Sequence, residues 1–285
     1  EIRLSLVGSE MCIRDSVNAM DRPGPVAAPG DRGRAITAFS RGITSATLLE
    51  SARRGPLRGS ALLAAVTPVD LDRLLHGARL VHLARGDHLI LGGSRPTTFW
   101  IVLDGYVKET RALEDGSVAL CGFRGPGDLV GEVAALWRDP CPHDATALGA
   151  GTALAVPVAD LHAAMTASPR LQTAVLSAVS SRATAAEWAL ARNDVGDISV
   201  RISLAILDLV DRWGRRVGSE VHVDVPLTQS ELAEWVGTSR ETTAKVLQRL
   251  RRAGVVATGR RHIAVRDLEV LRTYFPEGQA HALAL

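Results

Sequence analysis

The sequence predicts an α+β fold in which a double-stranded antiparallel β-roll is followed by a long helix and a C-terminal winged helix-turn-helix. Three observations predict it: β-rich runs separated by turn residues between 80 and 158, a helical apolar pattern after 168, and two capped helical segments joined by a glycine turn after 227. Turns at intervals of roughly ten residues are typical of a compact antiparallel sandwich or roll.

Residues 1–59 are predicted to form a disordered leader. The segment from Ser5 to Ser16 is similar to translated sequencing-adapter sequence, so part of this leader is expected to be an artefact. Residues 21–59 are rich in Pro, Gly and Arg and lack apolar periodicity. Because such a composition buries too little apolar surface to offset the entropy of ordering, we expect no packed structure before residue 60.

The rest of the chain divides into three predicted parts. Residues 60–165 form the roll, with strands such as those at 99–103 and 118–121. Residues 166–196 form the long helix, whose apolar stripe is long enough to pair with a second copy of the chain and so predicts a homodimer. That stripe consists of Leu171, Val175, Ala178, Val179, Ala185 and Trp188. Residues 197–285 form the winged helix-turn-helix.

The helix-turn-helix is predicted from two capping signals and a turn. Thr228 and Glu231 have the Thr-x-x-Glu spacing in which two side chains satisfy each other's free backbone amides at a helix start. Thr238 and Glu241 repeat this spacing ten residues later. Between them Gly237 supplies the kind of turn that such motifs often contain.

The second of these helices has one apolar and one polar face. The apolar positions follow helical spacing and are Thr243, Val246, Leu247 and Leu250. Arg240, Glu241 and Lys245 lie on the opposite face near the N-terminus, where a recognition helix meets base edges. Between 227 and 265, six arginines and Lys245 oppose three glutamates, a net charge of +4, whereas the whole chain carries +2. This local excess predicts contact with DNA phosphates.

Composition limits the remaining classes of protein. The longest uncharged run, residues 145–159, has 15 residues, fewer than the roughly 20 that a membrane helix needs, so no membrane association is predicted. Three cysteines in 285 residues argue against a disulfide framework and favour a reducing, cytoplasmic location. No catalytic constellation is predicted, so we do not expect an enzyme.

Several motifs together resemble one family. Turn residues at 85–87, 104–105, 115–116 and 125–132 match, in order, the turn glycines of the CRP/FNR family of transcription regulators. Thr238 to Thr242 is similar to the recognition-helix motif of that family, and Asp197 to Ile202 to the segment that opens its DNA-binding domain. The resemblance covers about residues 60–270 and implies a cyclic-nucleotide-binding-like roll.

The resemblance also implies partners and residue roles. Members of this family are homodimers that dock two recognition helices into successive major grooves of double-stranded DNA, and RNA polymerase is an expected further partner. By resemblance, Arg240, Glu241 and Lys245 read bases, whereas Thr228 and Ser239 contact phosphates. The family commonly has arginine at the position of Lys245, and lysine keeps the charge but loses the bidentate fork.

The effector pocket implied by the resemblance departs from the family pattern. Gly131 and Glu132 match the Gly-Glu pair whose carboxylate takes a ribose hydroxyl. His143 and Asp144, however, stand where an Arg-Ser pair holds the cyclic phosphate, and an aspartate repels a phosphate. These departures argue against cyclic AMP as the effector, so the small-molecule effector is left unidentified and no cofactor is assigned.

Two alternatives stay open beside this interpretation. One is a regulator that does respond to cyclic AMP. The other is a redox- or metal-sensing regulator that uses Cys141 and His143, although ligands so close in sequence would need a distant fourth partner to complete a zinc site. The same loop could instead hold a cysteine nucleophile with His143 as its base. It could also be a surface loop of the roll without chemistry.

Overall fold

The computed structural model describes residues 44–259 and 262–273. The helices are α1 (Ser45–Arg54), α2 (Ala61–Ala65), α3 (Pro68–Leu74), α4 (Glu132–Trp137), α5 (Val158–Ala167), α6 (Pro169–Asp194), α7 (Ile198–Trp213), α8 (Gln229–Trp235), α9 (Arg240–Arg252) and α10 (Leu268–Thr273). None of the helices in these ranges is both long and apolar enough to cross a lipid bilayer.

Two four-stranded antiparallel sheets form the roll. Its strands are β1 (Arg79–Leu83), β2 (His88–Ile90), β3 (Thr98–Asp104), β4 (Val107–Ala112), β5 (Val118–Arg124), β6 (Leu129–Val130), β7 (Asp144–Ala147) and β8 (Gly151–Pro157). One sheet has the order β1-β8-β3-β6 and the other the order β2-β7-β4-β5. Phe99 and Ile101 of β3 are buried against the helices that flank the roll, whereas Val102 lies in the core between the sheets.

The N-terminal part of the described chain corrects one prediction. Residues 44–59 were assigned to a disordered leader, but Ser45–Arg54 is a helix whose start is fixed by a reciprocal capping box between Thr44 and Thr47. Leu48 and Leu49 are buried in the core beside the roll. The helix was not predicted because it has few apolar residues and is flanked by Gly and Arg. The adapter-like segment lies outside the described residues.

Helix α6 is long, as the sequence predicted, but the first part of its predicted apolar stripe faces its own chain. Ser168 caps the helix by accepting from the amide of Leu171. Leu171 and Val175 are buried in the core that α6 shares with α2 and α5. Leu176 and Leu190 are instead 65% and 69% exposed. The face available to a second copy is therefore the one that carries these leucines.

The C-terminal part is a helical core with a four-stranded sheet of order β11-β12-β10-β9. The strands are β9 (Arg215–Val217), β10 (Glu220–Val223), β11 (Val256–Gly259) and β12 (His262–Val265). Helix α7 packs against α9 and β10. Between α8 and α9, Gly237 adopts φ +65°, a left-handed conformation that glycine tolerates without a steric penalty.

The roll and the C-terminal part share one apolar core. Phe123 of β5 meets the ring of Trp235 of α8 edge-on at 5.1 Å between centroids. Beside it, Arg212 of α7 donates to the carbonyl of Phe123 at 3.0 Å and to Asp128 at 2.9 Å. These contacts fix α7 and α8 against the outer face of the second sheet.

Candidate nucleic-acid interface and effector pocket

The N-terminus of α9 presents the predicted reading residues to solvent. Ser239 is the N-cap and accepts from the amide of Thr242 at 3.1 Å. Arg240, Glu241 and Lys245 are all exposed, and none of them makes an ion pair within the described residues. Since the described part of the chain does not engage their side chains, these residues are available to base edges in a groove.

The cap of α9 differs by one residue from the predicted one. Thr238 was expected to begin the helix in a capping box with Glu241, but Ser239 holds that position. The amide of Thr238 instead donates to the carbonyl of Ala233 at 2.9 Å, which closes the turn after α8. Ser and Thr are both good N-caps, so sequence spacing alone could not choose between adjacent hydroxyl residues.

The face of α9 opposite the reading residues is buried. Thr243, Val246, Leu247 and Leu250 belong to the C-terminal core, and Thr243 and Leu250 are almost fully buried. This burial fixes the rotation of the helix about its axis. The reading residues are therefore held outward by packing, and not by contacts of their own.

Thr228 begins α8 in the predicted capping box. Its hydroxyl accepts from the amide of Glu231 at 3.1 Å and donates to the Glu231 carboxylate at 2.8 Å. Lys108 of β4 lies 3.4 Å from the same carboxylate. Burial alone would raise the pKa of Glu231, but the hydrogen bonds from Thr228 and the charge of Lys108 hold it below its usual value. The predicted phosphate-contacting end of α8 is thus tied to the roll.

The predicted effector pocket contains a buried charge network. Glu132, at the start of α4, is 3% exposed and accepts from Arg182 of α6 at 2.6 Å. The second nitrogen of Arg182 lies 3.2 Å from Glu109 and 3.0 Å from His143. Glu109 also accepts from Arg124 at 2.7 Å. Each guanidinium in this network therefore already faces a carboxylate of the chain itself.

Glu109 is the centre of the network. It is 1% exposed, and His143 Nε2 lies 3.1 Å from its Oε1. Burial would raise the pKa of this carboxyl, but the guanidinium of Arg124, the hydrogen bond with His143 and the charge of Arg182 hold it well below its usual range. The group is therefore ionised in the folded chain, and its charge is matched by arginine.

The other two predicted pocket residues have different surroundings. Gly131 adopts φ +79° as the N-cap of α4, and a Cβ there would collide with Ile90. Asp144 begins β7 and accepts from the amide of Gly92 at 3.0 Å. The structure thus brings Glu132 and His143 together through Arg182, whereas the carboxylate of Asp144 is used to fix the loop after β2.

Sequence reasoning missed three members of the network: Glu109, Arg124 and Arg182. Arg182 offered one signal, because it is a long cation on the same helix face as Leu171 and Ala178. Glu109 offered another, since it follows the apolar Val107 by two residues and so shares its face of the strand. Neither signal shows that Arg182 and Glu109 are partners, because they meet only when α6 packs on the roll.

The cysteine loop shows no special chemistry in the described residues. Cys141 is 2% exposed, and burial raises the pKa of its thiol, as it does for Cys121. A raised thiol pKa lowers the thiolate fraction that a nucleophile needs. Within residues 44–259 and 262–273, no three His, Cys, Asp or Glu side chains are grouped so that they could hold a metal ion.

A cavity of about 680 Å³ lies between the second sheet of the roll, α6 and the C-terminal part. Glu109, Glu132 and Arg182 line one region of it, and Arg192, Leu204 and Trp235 line another. Ligand sites of proteins commonly have volumes of about 300–1,000 Å³. The cavity therefore extends the predicted pocket along the helix towards the DNA-binding part of the chain.

Comparison with known proteins gives the same two domains. The model of a cyclic nucleotide-binding domain matches residues 80–168, and that of a Crp-like helix-turn-helix domain matches residues 200–274. The chain is 26% identical over 215 residues to a CRP-like cAMP-activated global transcriptional regulator of Mycobacterium tuberculosis, covering 75% of this chain and 96% of that protein. It is 22% identical over 201 residues to the nitrogen fixation regulation protein FixK of Bradyrhizobium diazoefficiens, covering 70% and 84%.

Solved structures show the same fold. FixK2 from Bradyrhizobium japonicum superposes with a TM-score of 0.63 at 18% identity, covering 70% of this chain and 98% of that one. A CRP-family transcriptional regulator from Thermus thermophilus superposes with a TM-score of 0.57 at 23% identity, covering 67% and 94%. The order of roll, long helix and helix-turn-helix is therefore shared with these proteins.

Proposed function

Because this chain belongs to the CRP/FNR family of transcription regulators, we propose that it binds an inverted-repeat operator as a homodimer and reads it through the N-terminus of α9. The observation that carries this proposal is the exposure of Arg240, Glu241 and Lys245 on a helix whose opposite face is buried. We further propose that Ser239 and Thr228, the N-caps of α9 and α8, contact DNA phosphates.

We propose that the dimer forms along the outer face of α6. On this face Leu176, Ala183 and Leu190 recur every seven residues, and Val179 and Ala186 follow the first two of them by three. This alternation of three and four residues is the seam of a two-stranded coiled coil. Two chains joined in this way present their recognition helices about 34 Å apart, one turn of DNA.

The effector of this regulator is proposed to be something other than cyclic AMP. The relative from Mycobacterium tuberculosis is described as cAMP-activated, but here Arg182 occupies one oxygen of Glu132. Arg124 and Arg182 are both paired with Glu109. A cyclic phosphate beside Glu132 would have to displace these internal ion pairs before it could pair with Arg124 or Arg182.

The remaining assignments follow from the family. We propose a cytoplasmic protein without catalytic activity that regulates transcription through contact with RNA polymerase. Gel shifts of genomic fragments at low salt test the main proposal, since phosphate contacts strengthen as salt falls. Retention of a subset of fragments by folded dimer supports it, and the absence of any retained fragment would contradict it.

A further inference from the structure

Arg192 is a buried cation with no acidic partner among the described residues. It lies near the end of α6 and is 7% exposed. Its guanidinium stacks over the ring of Trp235 at 4.4 Å, and Nη2 reaches the carbonyl of Trp235 at 3.4 Å. Its Nε is buried and has no hydrogen-bond partner within the described chain.

The surroundings do not compensate this charge. Burial lowers the pKa of Arg192, and the carboxylate of Asp208 opposes that effect only from beyond ion-pair distance. Asp208 itself lies 4.0 Å from Arg212. An arginine does not release its proton in a protein, so it cannot escape the cost of burial by becoming neutral. The stacked Trp235 ring stabilises a cation but offers no acceptor to Nε.

The other arginines that line the cavity are all paired. Arg124 and Arg182 face Glu109, and Arg212 faces Asp128 at 2.9 Å. Of the other two acidic lining residues, Glu132 is held by Arg182, and Asp208 lies 4.0 Å from Arg212. Within the described residues, Arg192 is therefore the cavity-lining guanidinium whose charge the chain leaves unmatched.

The cavity next to Arg192 is mainly apolar. Its walls are formed there by Ala185 and Ala189 of α6, Leu204 of α7 and Trp235 of α8. Positions 182 and 192 are separated by about 15 Å along the helix at 1.5 Å per residue. An elongated apolar molecule can thus lie along α6 with one end at Arg192.

We infer that this cavity binds an apolar carboxylic acid whose carboxylate pairs with Arg192 and whose hydrocarbon body lies against Leu204 and the alanines of α6. This inference rests on the proposed function, because it gives the chemical class of the ligand that the regulator takes. The carboxylate supplies a counter-charge to the Arg192 guanidinium, and charge-assisted hydrogen bonds of this kind are the stronger ones. The site involves α6, α7 and α8, so an occupant touches both the long helix and the DNA-binding part.

Calorimetry on the full chain with three probes of one shape tests the inference. The probes are decanoate, decanol and decylammonium, each below its micelle-forming concentration. We expect decanoate to bind the wild type at least about tenfold more tightly than decanol, a difference of about 1.4 kcal/mol, and decylammonium to bind more weakly than either. Arg192→Gln should remove the preference for decanoate, and Arg192→Lys should restore part of it.

Arg170→Gln is the matched control, because Arg170 lies on the same helix but is exposed. It should leave the preference unchanged. Equal affinity of the wild type for decanoate and decanol would overturn the inference, as would an undiminished preference in a folded Arg192→Gln variant. Gel shifts on the same preparations separate this result from the proposed function, since they report DNA binding whether or not decanoate binds.

Discussion

Arg182 of the long helix and Glu132 of the roll form a buried ion pair with 2.6 Å between nitrogen and oxygen. The pair connects α6 to α4 across the place where the family resemblance implies a ligand. Glu132 Oε1 accepts from this guanidinium, and Oε2 is buried without a hydrogen-bond partner in the described chain. Arg182 therefore acts as an internal cation that couples the helix to the roll.

Arg182→Ala should destabilise the chain strongly. Removing the guanidinium leaves Glu109 and Glu132 buried near each other without it, and such a change costs about 3–5 kcal/mol. Urea unfolding at one protein concentration measures the loss. Arg54→Ala is the control, because the Arg54–Glu50 pair is largely exposed and exposed pairs contribute little. Similar urea midpoints for the two variants would contradict a stabilising role of the buried network.

Stability should fall in acid partly through Glu109. Its folded pKa lies below the ordinary value, so its contribution is present above the unfolded pKa of about 4.3 and is lost as the pH falls from there towards the folded pKa. Glu109→Gln should therefore be much less stable than the wild type at neutral pH, and the difference should shrink below about pH 4.3. If the stability difference between wild type and Glu109→Gln did not depend on pH, Glu109 would not contribute to the loss of stability in acid.

Local sequence patterns predicted the position of α9, whereas the face of α6 that is buried depends on tertiary packing. The capping residues and the apolar face of α9 are properties of neighbouring positions, so the sequence indicated where the helix lies. The apolar stripe of α6 was also visible, but periodicity does not say what covers it. Val175 is 1% exposed because α6 packs on its own chain, whereas Trp188 of the same stripe is 43% exposed. The dimer contact along this helix stays a prediction.

The pocket illustrates a second limit of sequence reasoning. His143 and Asp144 were placed in the pocket because they stand where the family has an Arg-Ser pair, but their side chains have different partners. His143 lies against Glu109, and Asp144 binds the amide of Gly92. Arg182 is 39 residues from His143. No local sequence pattern predicts a contact between two residues so far apart in the chain.

Cyclic nucleotides should not bind in the micromolar range. Arg124 and Arg182 are committed to Glu109, and no further cation of this network is available to a phosphate. Calorimetry with cyclic AMP and cyclic GMP at neutral pH measures this directly. Micromolar binding of either nucleotide would contradict the interpretation of the pocket and would require Arg182 to leave Glu132.

Charges on the outer face of α6 should separate the dimer. The double variant Leu176→Glu and Leu190→Glu places carboxylates on the proposed seam at positions that are exposed in one chain, so it should fold as a monomer and bind DNA weakly. Analytical ultracentrifugation measures the mass of the double variant and so distinguishes monomer from dimer. Ser177→Glu, also exposed on α6, is the control and should remain dimeric. Val175→Asp should instead unfold the chain. A dimeric double variant would place the interface elsewhere.

Selection of DNA sites from a random pool tests most directly the claim that α9 reads an operator. The wild type should return an inverted repeat, and Arg240→Ala should lose the preference for one guanine in each half-site, because an arginine fork on guanine discriminates by about 1–3 kcal/mol. Ser239→Ala should keep the consensus and bind all sites more weakly, since a phosphate contact carries no base information. The same consensus for wild type and Arg240→Ala would contradict the account.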